Sequence, residues 1–139
     1  MALSHENLRV YKTAIEFVAW TQPLIERLPA KVSARDQLER ASTSIALNIA
    51  EGNAKSSDKD RVRFWQIAQG SAFECGACLD VLVARKVLLA GDVTDGKEMV
   101  ESIVKMIMGL RRKFGNWLEE EGVEYGGDGF GFDEDDEKS

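Results

Sequence analysis

The chain has 139 residues, 44% of them hydrophobic, with two cysteines, one histidine and a formal net charge of −6. That length suits one domain around a single core, and two cysteines exclude a disulfide framework. With no run of about eighteen apolar residues, and a start (Met-Ala-Leu-Ser-His-Glu-Asn) that lacks a basic region followed by an apolar one, the expectation is a reduced, cytosolic protein with no membrane partner.

In chain order, Val10, Ala14, Phe17, Val18, Thr21, Leu24, Ile25 and Leu28 follow the spacing of one helical face, and Pro29 closes this first helix. Ser33 is a candidate cap for a second helix, whose face runs through Leu38, Ala41, Ile45 and Ile49 and which Gly52 is expected to end in a left-handed conformation. A short polar loop follows. The third helix begins near Asp58 and carries Phe64, Ile67, Ala68, Ser71, Cys75, Cys78, Leu79 and Leu82. The fourth follows Gly91-Asp92, with Val100, Ile103, Val104, Ile107, Leu110, Phe114, Trp117 and Leu118. Strand signals are absent. Four long helices joined by short loops predict an all-α, antiparallel up-down-up-down bundle. Val62, Trp65, Ala72 and Phe73 lie off the face assigned to helix three, so they form either an exposed second stripe suited to self-association or part of a wide core-facing stripe.

The net charge conceals a division of the chain. From Glu119 onward ten acidic residues face Lys138 alone, a net of −9, which leaves 17 basic and 14 acidic residues, a net of +3, in residues 1–118. The expected organisation is a bundle over 1–118 and an acidic, glycine-rich, disordered tail over 119–139.

Cys75-Gly-Ala-Cys78 has the form of half a zinc or redox motif, but it falls in mid-helix, and the lone soft ligand elsewhere is His5. Gly70, Ser71, Cys75, Gly76 and Cys78 read better as small residues that admit a neighbouring helix. No nucleophile and base pair, phosphate-cradling loop or paired Glu-x-x-His is present. Glu51 and Glu74 alone do not define a pocket. No enzymatic activity, cofactor, metal or small-molecule substrate is therefore expected. Ser44, Asn48 and Glu51 share one helical face, and Gly70, Ser71 and Glu74 make a comparable patch on the next helix. The expected role is a structural polar joint, within the bundle or between subunits, because buried polar groups persist only when hydrogen-bonded.

Several stretches carry a family resemblance: Leu8-Arg9-Val10-Tyr11 with Ala14 and Phe17; Gln37 to Ile45 running into Asn48-Ile49-Ala50-Glu51-Gly52; Phe64; Ile67-Ala68-Gln69-Gly70-Ser71; Glu74; and, more loosely, Ile103-Val104-Lys105-Met106 with Gly109-Leu110. Over roughly residues 6–118 the chain resembles the four-helix bundle proteins encoded within intervening sequences of bacterial 23S ribosomal RNA genes. These share their fold with the accessory variability determinant of diversity-generating retroelements. The resemblance implies a non-enzymatic bundle assembled as a ring-shaped homopentamer, with RNA or DNA as a partner. Glu39 stands where the usual pattern has the first of two arginines, and the acidic tail is not shared.

In an up-down-up-down bundle one end would gather Arg9, Lys12, Lys55, Lys59, Arg61, Arg63, Arg111, Arg112 and Lys113 against Glu6, Glu51, Asp58 and Asp60. Repeated around a ring, this forms a basic rim able to neutralise phosphates. The competing reading is ordinary solvated helix ends, with Arg111, Arg112 and Lys113 suiting the negative end of helix four. The tail leaves from the same end. It would fold back as a rival polyanion, with Tyr125, Phe130 and Phe132 as base-like rings. A scaffold for protein partners, with no nucleic acid, is the alternative.

Overall fold

A computed structural model describes residues 3–115, so the acidic segment, with Trp117 and Leu118 before it, lies outside the described residues. After a 3-10 turn, Ser4–Asn7, come four helices: α1 (Arg9–Arg27), α2 (Ser33–Ala54), α3 (Asp58–Ala84) and α4 (Ala90–Phe114). Among the described residues there is no strand.

Hydrogen bonds set the start of α3, the start of α4 and the end of α3. The hydroxyl of Ser57 accepts a hydrogen bond from the Asp60 N–H at 3.1 Å and caps α3. The Asp92 carboxylate accepts from the Leu89 N–H at 2.8 Å at the head of α4. Ser33 is the first residue of α2 rather than its cap, and no side chain caps that end. At the end of α3 the Val87 N–H reaches the Leu82 carbonyl and the Lys86 N–H reaches the Val83 carbonyl. These are the paired bonds of a Schellman motif, and Lys86, at φ 64°, occupies the left-handed position usually given to glycine.

Contacts between helices run in reversed order. Along α2 and α3, Gln37 meets Cys78, Ser44 meets Ser71 and Ile49 meets Trp65. Along α3 and α4, Asp80 pairs with Lys97 and Gln69 with Arg111. Between α1 and α4, Arg27 pairs with Asp92, and the Trp20 ring lies over Gly96. The core that results holds Phe17, Leu38, Ile45, Ile49, Trp65, Leu79, Leu82, Ile103 and Ile107.

Of the two readings of the off-face residues of α3, the wide core-facing stripe holds: Val62, Trp65 and Ala72 are buried, at 2%, 1% and 0% exposure, and Phe73 is half-buried, so they form no exposed second stripe. The reason is that α3 packs between α2 and α4 and buries a wide arc. Ile67, assigned to the core by spacing, is instead 47% exposed. By length and composition α3 could cross a membrane; ten of its 27 residues are buried in the bundle.

Gly52 does not end α2, which continues to Ala54. A Cβ at Gly52 would sit 2.6 Å from the Trp65 Nε1, so this glycine lets an indole ring lie against the helix backbone. Gly96 does the same for Trp20, where a Cβ would lie within van der Waals overlap of the ring. Gly70 has open space around it and a Cβ on Gly76 would meet Val100 at an ordinary 3.7 Å, so neither is needed for close approach.

Candidate nucleic-acid interface and interhelical joint

The expected polar joint forms in part. Ser71 Oγ donates to Ser44 Oγ across α2 and α3 at 2.8 Å, and Asn48 Nδ2 donates to the Ser44 carbonyl at 2.9 Å and to its hydroxyl at 3.0 Å. Ser71 is buried, and Ser44 and Asn48 are half-buried. The remaining three residues do not join it. Glu51 is exposed and pairs with Lys55 at 3.0 Å, while Gly70 and Glu74 face outward. A carboxylate at either outer position keeps its hydration, which a place in the joint would remove. Glu51 and Glu74 therefore form no shared buried site.

The cysteines lie on the inner face of α3. Both are buried. Burial pushes the Cys75 thiol well above its ordinary range, with Cys78 and Glu74 adding to the effect, and burial followed by Glu74 raises that of Cys78. A protonated, buried thiol is a poor nucleophile and a poor ligand. Among the described residues no group of three or more His, Cys, Asp or Glu side chains could hold a metal ion.

The predicted basic residues gather at one end of the bundle. Asn53 Nδ2 donates to Ser4 Oγ at 2.8 Å, tying the end of α2 to the start of the chain. The Arg61 guanidinium lies 5.4 Å from the Phe114 ring centre, tying the start of α3 to the end of α4. Arg9, Lys12, Lys59, Arg63, Arg112 and Lys113 are exposed, and Lys55 and Arg61 are half-buried. Three of these cations also meet acids nearby in the chain: Lys55 with Glu51, Arg61 with Asp58 at 3.1 Å, and Arg63 with Asp60 at 3.3 Å. Exposed pairs of this kind contribute about 0–1 kcal/mol, so they exchange readily for a stronger anion.

Arg111 departs from the expectation. It is only 8% exposed, and its Nη1 donates to the buried Gln69 Oε1 at 2.6 Å, which fixes α4 to α3. The arginine belongs to the helix interface because position 111 continues the α4 stripe of Val100, Ile103, Val104 and Ile107. Its long stem can follow that stripe inward, and the amide accepts from one nitrogen of the head.

Aromatic rings stand among these cations, a feature the charge pattern alone did not disclose. Phe64 is half-buried, with Lys55 Nζ 4.9 Å and Arg63 Cζ 5.6 Å from its ring centre. Phe114 contacts Arg61 and Lys113, each at 5.4 Å, and packs edge-on against Trp65. The signal was available as spacing: Phe64 follows Arg63, and Lys55 precedes it by nine residues across a tight connection, the loop between α2 and α3.

A crystal structure of a protein of unknown function from the S23 ribosomal protein family of Bacteroides thetaiotaomicron has the same fold, with a TM-score of 0.68. The two are 22% identical, and the match covers 73% of this chain and 96% of that one. No functionally curated protein matches the chain. The family model described as 23S rRNA-intervening sequence protein matches residues 6–109, which span the polar joint and most of the basic end. The chain belongs to the family of 23S rRNA-intervening sequence proteins.

Proposed function

We propose that this protein is a non-enzymatic, self-associating bundle whose basic end binds RNA or DNA, and whose acidic C-terminal segment competes for that end. The reversed order of contacts between α1, α2, α3 and α4 supports the up-down-up-down arrangement. The observation that carries the binding reading is the convergence, from α1, the connection between α2 and α3, α3 and α4, of Arg9, Lys12, Lys55, Lys59, Arg61, Arg63, Arg112 and Lys113 on one end. A cluster of this kind neutralises phosphates and releases their counterions. Assembly into the homopentameric ring that the family resemblance implies would repeat the patch around a rim and multiply its affinity. The 21 residues from Glu119 onward, with a net charge of −9, follow within five residues of the end of α4, whose last turn carries Arg112 and Lys113.

A second reading rests on the outer face shared by α2 and α3, where Leu47 is 64% and Ile67 47% exposed beside the polar joint. Two large apolar side chains there suit a protein partner, either another copy or a different chain. A salt titration of binding to structured RNA and to duplex DNA, comparing the full chain with one ended at Leu118, separates the readings. The proposal expects tight, salt-sensitive binding by the shorter chain and weaker binding by the full one. If neither form binds at low salt, the end is a solvated surface and the scaffold reading replaces it.

A further inference from the structure

The pairing of rings with cations at the basic end bears on which nucleic acid would fit it. Phe114 has a structural reason to be where it is, since it packs against the core and against Trp65. Phe64 stands further out: it is half-buried, and Lys55 of the connection between α2 and α3 and Arg63 of its own helix lie over its ring. A base that stacks on this ring takes the place of a cation over its face and leaves that cation to meet a phosphate. Bases stack on such rings regardless of sequence, and the neighbouring cations take the phosphates that flank the stacked base.

We propose that the basic end binds unpaired nucleotides in preference to duplex, with Phe64 as the base-stacking platform and Lys55 and Arg63 as the flanking phosphate ligands; this rests on the reading that the end binds nucleic acid at all. A duplex keeps its bases stacked on each other and offers only its backbone, so it gains nothing from the ring. Glu51 and Asp60 orient the two cations at 3.0 Å and 3.3 Å, and a phosphate takes over one side of each pair. A purely structural role for these ring contacts would instead fasten the ends of α2 and α3 and give no preference between strands.

The test uses full-length protein in two forms: the native chain, and one in which the ten carboxylates from Glu119 to Glu137 are replaced by amides to remove the competing polyanion. Each is titrated with an oligouridylate of about 12 nucleotides and with an RNA duplex of the same length. The expected result is stronger binding of the single strand. Phe64→Leu should lower single-strand affinity about tenfold and leave duplex affinity and the slope against salt unchanged, because it removes a stacking face and no charge. Phe64→Tyr should retain the native affinity. Equal affinity for both probes with Phe64→Leu silent overturns this inference and leaves the broader function standing. A fall in the salt slope with Phe64→Leu also overturns it, since the ring would then act only by placing charges. Failure of both full-length forms to bind either probe overturns the inference together with the function it rests on.

Discussion

Replacing Gly52 by alanine tests the packing of α2 against α3 at the root of the basic end. In an open helix the change would stabilise by about 1 kcal/mol, because alanine loses less backbone entropy. Here the new Cβ would lie 2.6 Å from Trp65 Nε1, 2.7 Å from its Cδ1 and 3.1 Å from the Arg61 carbonyl oxygen. The indole cannot move away freely. It is 1% exposed, donates to the Ile49 carbonyl at 3.3 Å and meets Phe114 edge-on at 5.4 Å between ring centres. Overpacking costs about 1–3 kcal/mol, and weakening the indole hydrogen bond costs about 1 more. Set against the gain in propensity, the net is a destabilisation of about 2 kcal/mol, or about 8 °C in melting temperature for a chain of this size. Gly109→Ala is the control, because nothing lies within 4 Å of its Cβ position, and it should stabilise by about 0.5–1 kcal/mol. Urea unfolding followed by circular dichroism measures both. A Gly52→Ala variant as stable as its Gly109→Ala counterpart would refute the reasoning.

Other perturbations follow from the same structure. Lys86→Gly should raise stability by about 0.5–1 kcal/mol in thermal unfolding, because a non-glycine residue holds φ 64° in the turn after α3. Asn48→Leu removes both donations to Ser44 and should lower stability by about 1 kcal/mol with helix content kept; if the joint also supports assembly, the mass seen by sedimentation will change too, while an unchanged melting temperature and mass would contradict a structural role. The thiols of Cys75 and Cys78 ionise in the folded chain only above their ordinary value of 9.0. Unfolding therefore releases protons above about pH 9, and stability should fall as pH rises past that point. A Cys75→Ala/Cys78→Ala variant should show a shallower fall across this alkaline range in urea titrations.

The helices were legible because period and punctuation agree. The α1 stripe from Val10 to Leu28, the α2 stripe through Leu38, Ala41, Ile45 and Ile49, and the break at Pro29 report burial directly. The phase of α3 was harder to read. A helix packed on two neighbours buries so wide an arc that periodicity does not say whether Trp65 or Ile67 points inward. Gly52 was misread for a similar reason, since its role depends on a tryptophan 13 residues away that occupies the space of a side chain. In the joint, the i, i+4 relation placed Ser44 with Asn48, and Ser71 met them from α3. The next turn carried Glu51 out to Lys55, where hydration favours a carboxylate. Charge counting located the basic end but could not separate Arg111 from Arg112, because the two differ only in the 100° step that turns one inward and the other to water.

The central claim, that exposed cations at one end of the bundle bind nucleic acid, is tested most directly by removing some of them in the full chain. Arg9, Lys12 and Arg112 are exposed and close no ion pair among the described residues, so their change to glutamine leaves the fold's contacts intact. Lys31, Arg85 and Lys86, exposed in the connections at the opposite end, serve as a charge-matched control. The measurement is the slope of log affinity for single-stranded RNA against log salt. The account predicts that the triple variant loses about 0.7 from that slope for each cation removed, and that the control keeps the native slope. Equal losses from both variants would mean that net charge alone drives binding, and would contradict a site at this end.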